Sequence, residues 1–246
     1  MSGTASHTQP LVVVKLGSTF PGLSSERGDF EHWFRDAVAD WDLPVRILDA
    51  AARPALPEPD ALAGVILTGS SSMVTDRLPW SERLRPWLAR IVAEGLPVLG
   101  VCYGHQLLAD ALGGEVGRRS QGVEIGSVSV TRNADSDGDP LFGALPRQFP
   151  AHCVHWQSVL RLPANACVLA GSAADSHQAY RVGDRAWGVQ FHPEFSELVM
   201  RFYIDAYVDA LTQDGLDPAH LHAEVQPTAD SARLLLAFAK LCRSRT

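Results

Sequence analysis

Cys102 lies between two glycines in Gly100-Val101-Cys102-Tyr103-Gly104, and a thiol framed in this way is suited to nucleophilic attack. The preceding run, Leu96 to Val101, is short, apolar and valine-rich, the pattern of a buried strand. The following run, Gln106 to Leu112, spaces its apolar residues as a helix does and stops at Gly113-Gly114. Gly-x-Cys-x-Gly between a strand and a helix is the cysteine form of a nucleophile elbow. The glycines remove Cβ atoms that would clash in so sharp a turn, and a helix N-terminus favours the thiolate. A buried structural cysteine is the bland alternative. Two glycines in a strand-to-helix setting weigh against it.

A cysteine nucleophile needs a base, and the base needs an orienting partner. Ala186 to Phe191 reads as another short buried strand, and His192 follows at its carboxyl end, where open α/β sheets collect their chemistry. Pro193 ends the ladder, and Glu194 is near enough to hold the imidazole through its other ring nitrogen. The roles that follow are Cys102 as nucleophile, His192 as acid and base, and Glu194 as orienter. Taken alone, the segment also reads as a solvated loop histidine followed by a helix-capping glutamate. His152 and His155 around Cys153 raise a metal site, but no second ligand pair of matching type accompanies them. Valine-rich alternation there points to a strand instead, so no metal and no other cofactor is expected.

Those side chains must be carried by a sheet. Leu11 to Leu16, Val45 to Leu48, Ala63 to Leu67 and Leu96 to Val101 read as buried strands. Helical spacing covers Phe30 to Val38 and Pro79 to Glu94. Arg53 to Asp60 is a proline-rich connection, and Gly69 to Ser72 is a loop. This alternation predicts an α/β fold, a mostly parallel doubly wound sheet with helices on both faces. Gly122 to Thr131, Ala166 to Ala170 and Gln178 to Val182 alternate, which predicts a small antiparallel extension between the elbow and His192. Phe195 to Leu211 and Ser231 to Arg243 read as helices.

The chain has 246 residues, of which 46% are hydrophobic and 20% charged, the balance of one large globular domain. A net charge of −7 without a basic cluster argues against a nucleic-acid partner. No apolar run approaches the roughly 20 residues of a membrane span. Residues 1–10 are small and polar, with no secretory pattern. They are expected to form a flexible tail of a cytoplasmic protein, with 11–246 as the single domain. Cys102, Cys153, Cys167 and Cys242 do not make a disulfide framework.

Four segments, taken in order, resemble the class I (triad-type) glutamine amidotransferases. GVCYGHQ and GVQFHPE, ending at Gln106 and Glu194, are similar to the family's two signatures. Val154-His155-Trp156-Gln157-Ser158-Val159 is similar to its segment of His, a polar or acidic residue, and Val. Val65 to Ser70 looks like the strand and glycine turn that supplies part of its oxyanion hole. The resemblance implies a flavodoxin-like fold and hydrolysis of a γ-carboxamide through a γ-glutamyl thioester. It implies oxyanion donors at the Tyr103 N–H and at that of Gly69 or Ser70, and substrate contacts from Gln106, His155 and Trp156. Gln106 also reads simply as a polar residue of the first helical turn.

Two functions stay open. One is a glutaminase, similar to the amidotransferase domain of GMP synthases but free-standing, that supplies ammonia to a partner synthetase. No segment reads as a synthetase, because helices account for the roughly fifty residues after Glu194 and the Gly69 loop lacks a Walker lysine. The other is a free-standing γ-glutamyl peptidase. Leu112 to Arg118 with Gly122 to Gly126 resembles such members. Trp156-Gln157 departs from the small residue and acid usual in glutaminases of purine synthesis.

Overall fold

The valine-rich runs become strands because the sheet buries them on both faces. The computed structural model describes residues 9–41 and 43–244. In chain order these form β1 (Leu11–Lys15), α1 (Pro21–Arg27), α2 (Phe30–Ala37), β2 (Val45–Asp49), β3 (Gly64–Leu67), α3 (Pro79–Ala93), β4 (Val98–Val101) and α4 (Tyr103–Ala111). There follow β5 (Glu115–Arg118), β6 (Glu124–Arg132), β7 (Gln148–His155), β8 (Gln157–Arg161), β9 (Ala166–Gly171), β10 (Ala179–Val182) and β11 (Ala186–Val189). The chain closes with α5 (Glu197–Ala206), α6 (Val208–Gln213), α7 (Pro218–Ala223) and α8 (Ala229–Arg243).

The main sheet runs β2-β1-β3-β4-β11-β10-β9-β6-β7. Its first five strands pair in parallel, and β10, β9, β6 and β7 continue it antiparallel from the β11 edge. Every residue of β3, β4 and β11 is buried, as strands covered on both faces must be. Alternate residues of β1 separate the two cores. Leu11 and Val13 face Phe34 of α2 and Leu234 and Phe238 of α8; Val12 and Val14 face Leu84 and Leu88 of α3 and Leu107 of α4. No helix among the described residues is long and apolar enough to cross a membrane.

The expected fold class is present, with differences at particular elements. The alternating segments become β6, β9 and β10, and β7 supplies the long antiparallel partner of β6. The helix expected over Phe195 to Leu211 is broken at Tyr207, whose backbone (φ −108°, ψ 14°) ends α5 before α6 begins. There the Tyr207 ring packs against Trp156 and Phe20, so side-chain packing overrides the helical spacing. The elbow helix begins at Tyr103, not Gln106. Of the expected flexible tail, residues 1–8 lie outside the described residues. Pro10 is tied to the sheet, its carbonyl accepting from the Ala63 N–H at 3.0 Å.

Candidate active site

The elbow exists because the chain around Cys102 has no room for ordinary side chains. Cys102 has φ 51° and ψ −101°, a conformation that costs an L-residue on the order of 1–3 kcal/mol. A Cβ on Gly100 would overlap the Gly104 carbonyl, and one on Gly104 would lie 2.5 Å from the carbonyl oxygen of Leu67. The two glycines therefore let α4 start directly above β3 and β4. The Cys102 N–H donates to the Val189 carbonyl at 2.9 Å, which ties the elbow to the end of β11.

β11 ends just before His192, and the His192 N–H donates to the His152 carbonyl of β7 at 2.8 Å. The imidazole stacks on Phe195 at 4.0 Å between ring centroids. Its Nδ1 lies 2.7 Å from Oε1 of Glu194, and both side chains are buried. Among the described residues Nε2 has no hydrogen-bond partner, and Cys102 is one of the groups acting electrostatically on the ring. Burial alone would lower the His192 pKa. The charges of Glu194 and Cys102 outweigh it and push the pKa up to about 10, so the ring is an imidazolium at neutral pH. Burial has the opposite result at His105 and His152, whose pKa values fall to about 3 and about 4. Among the described residues, no carboxylate is found acting on either ring.

The remaining expected residues line one cleft of about 490 Å³ or border it. A Cβ on Gly69 would sit 3.0 Å from Cε1 of His192, so this turn lies against the imidazole. Ser70 lines the cleft. The Tyr103 N–H is the first of α4 and so has no acceptor within its helix. The Tyr103 ring points away, its hydroxyl donating to Ser81 at 2.9 Å. Gln106 reaches the cleft, but its Nε2 donates to the Gln157 carbonyl at 2.8 Å and to Oε1 of Gln190 at 2.9 Å. His155 has both nitrogens engaged, Nε2 with Glu124 at 2.8 Å and Nδ1 with the Gln157 carbonyl at 2.9 Å. Trp156 presents its ring, edge-to-face with Tyr207 at 4.8 Å.

Glu124, Cys153 and His155 bring one ligand atom each within 4.8 Å of one another, the spacing of a metal site. Here Oε2 of Glu124 is already bonded to Arg119 (3.0 Å), His155 and Gln178 (2.8 Å). The cluster is thus a satisfied ion-pair network, and burial raises the Cys153 thiol well above its ordinary range. Sequence reasoning missed Phe20, Phe30, Arg118, Tyr203 and Tyr207, which also line the cleft. They come from four separate segments, and no local pattern marks them.

Fold and elbow together define an α/β protein that presents a cysteine at a strand-to-helix turn above a mixed sheet. The model of the family "Glutamine amidotransferase class-I" matches residues 29–202, and the chain belongs to that family. The solved structure of a glutamine amidotransferase from Thermotoga maritima shares the fold, with a TM-score of 0.75 and 24% identity over 96% of this chain and 99% of that one. A GMP synthase [glutamine-hydrolyzing] of Aeropyrum pernix is 38% identical over 169 residues, 68% of this chain and 31% of that protein. This chain therefore spans about a third of that relative's length. Gamma-glutamyl peptidase 5 of Arabidopsis thaliana is 29% identical over 194 residues, 77% of this chain and 76% of that protein.

Proposed function

We propose that this chain is a glutamine amidotransferase with a Cys102–His192–Glu194 triad. It hydrolyses the γ-amide of glutamine and supplies the ammonia to a separate partner synthetase. The observation that carries the reading is the His192 ring, held at Nδ1 by buried Glu194, with Nε2 unpartnered among the described residues and Cys102 lining the same cleft. The imidazolium stabilises the thiolate, which adds to the γ-carbonyl carbon. The Tyr103 N–H and the Gly69–Ser70 turn bind the oxyanion. His192 then protonates the departing nitrogen, and the same ring takes a proton from the water that releases glutamate. A synthetase partner is supported by the GMP synthase relative, which extends well beyond its matched 31%.

A second reading, a γ-glutamyl peptidase acting without a partner, is favoured by the size of the cleft. At about 490 Å³ it falls within the roughly 300–1,000 Å³ of sites that hold drug-sized ligands, and glutamine is smaller than those. Steady-state kinetics on the isolated chain separate the two. Glutamine should be preferred over small dipeptides such as γ-glutamylglycine; a kcat/KM for the dipeptide well above that for glutamine selects the peptidase.

A further inference from the structure

The cleft lining combines one cationic side chain with several aromatic rings, and the triad determines which part of a substrate meets the rings. Arg118 is the cationic residue. It pairs with Gln157 across the β5–β8 ladder, and the Gln157 carbonyl accepts from Gln106. Among the described residues lining the cleft, Arg118 alone carries a permanent charge, and its exposed side chain makes no ion pair. Its guanidinium suits the α-carboxylate of a glutamyl group.

The position of the leaving amine is fixed by His192, because the leaving nitrogen must stand within reach of the ring that protonates it. That ring is surrounded by aromatic groups. Phe30 stacks with it at 6.1 Å and 19°. Phe195, stacked on its face, packs against Tyr203 at 5.1 Å, and Tyr203 meets Phe20 edge-on at 5.4 Å. The Tyr203 hydroxyl is already bonded to Oγ1 of Thr19 at 2.8 Å, so its ring is what it offers the cleft.

We infer that Phe20, Phe30 and Tyr203 form an aromatic subsite for the leaving amine, and that the chain also hydrolyses γ-glutamyl amides whose amine carries an aromatic ring. The inference rests on the thioester chemistry proposed above. The Cys102 thiolate adds to the γ-carbonyl carbon, and the C–N bond breaks as the His192 imidazolium gives its proton to the departing nitrogen. A neutral arylalkyl amine leaves. Water then adds to the thioester and gives a proton to His192, and the C–S bond breaks to release glutamate and restore the thiolate. Ammonia is too small to touch the aromatic wall, whereas an arylalkyl amine buries its ring against it.

The test compares γ-glutamyl-phenethylamide with γ-glutamyl-ethylamide on the full chain, with glutamine as reference. Both are secondary alkyl amides, so the chemistry is matched and the ring is the difference. The phenethylamide should show a kcat/KM about tenfold higher or more. Phe20→Ala should bring that ratio to within about threefold of unity, and Phe20→Leu, which keeps apolar volume without the ring, should fall between. Turnover of glutamine together with a wild-type ratio at or below unity overturns the subsite and leaves the thioester reading standing. Absence of turnover with all three compounds overturns both.

Discussion

Replacing Glu194 by glutamine removes one negative charge from a buried pair whose oxygen and nitrogen lie 2.7 Å apart, while leaving an amide oxygen able to accept from Nδ1. Geometry is kept and charge is lost. A hydrogen bond to a charged group contributes about 1.5–3 kcal/mol where a neutral one contributes about half that. The variant keeps the neutral bond and loses the difference, about 0.7–1.5 kcal/mol in the transition state, which corresponds to roughly a 3- to 10-fold fall in kcat/KM. The substitution also has a signature in pH. His192 is pushed up to about 10, against the effect of its burial, by Glu194 and Cys102. It therefore holds the proton needed by the leaving amine until the pH rises through that value. Without the Glu194 charge the His192 pKa drops, so the alkaline limb of the rate profile moves to lower pH. Glutamate release measured from neutral to alkaline pH, for wild type and Glu194→Gln, reads both effects. Equal rates with an unmoved alkaline limb would refute the reasoning.

Two further outcomes concern the scaffold. Cys102 holds φ 51°, so Cys102→Gly should be more stable than Cys102→Ala by about 1 kcal/mol, the reverse of the usual order, and calorimetry showing the alanine variant melting higher would contradict the strain. Glu124→Leu takes the nearest carboxylate from Arg119, whose side chain is 4% exposed, leaving it Asp175 at 3.7 Å, and removes the partner of His155 Nε2; urea titration should show a loss of about 3 kcal/mol, and a loss under about 1 kcal/mol would show that the network is not the structural device described.

The elbow and His192 were legible because each is a local pattern: a glycine pair around a cysteine, and a histidine where a buried strand ends. The parallel strands were legible because burial on both faces leaves nearly uninterrupted apolar runs. Strand β5 was not, since Glu115–Arg118 alternates too little to signal pairing with β8. The break at Tyr207 was hidden for a different reason. It is imposed by rings from Phe20 and Trp156, remote in the sequence, on a segment whose own spacing is helical. Gln106 and His155 were found as members of the cleft, yet local sequence could not show that Gln157, Gln190 and Glu124 already occupy their polar atoms.

The central claim is that Cys102, raised on the strained elbow beside His192, attacks a γ-glutamyl carbonyl. An electrophile that mimics glutamine, followed by peptide mass mapping, tests it most directly. The account predicts one mass increment per chain, on the peptide containing Cys102, and its loss in Cys102→Ala. Labelling at Cys153, Cys167 or Cys242 with Cys102 unmodified would contradict it.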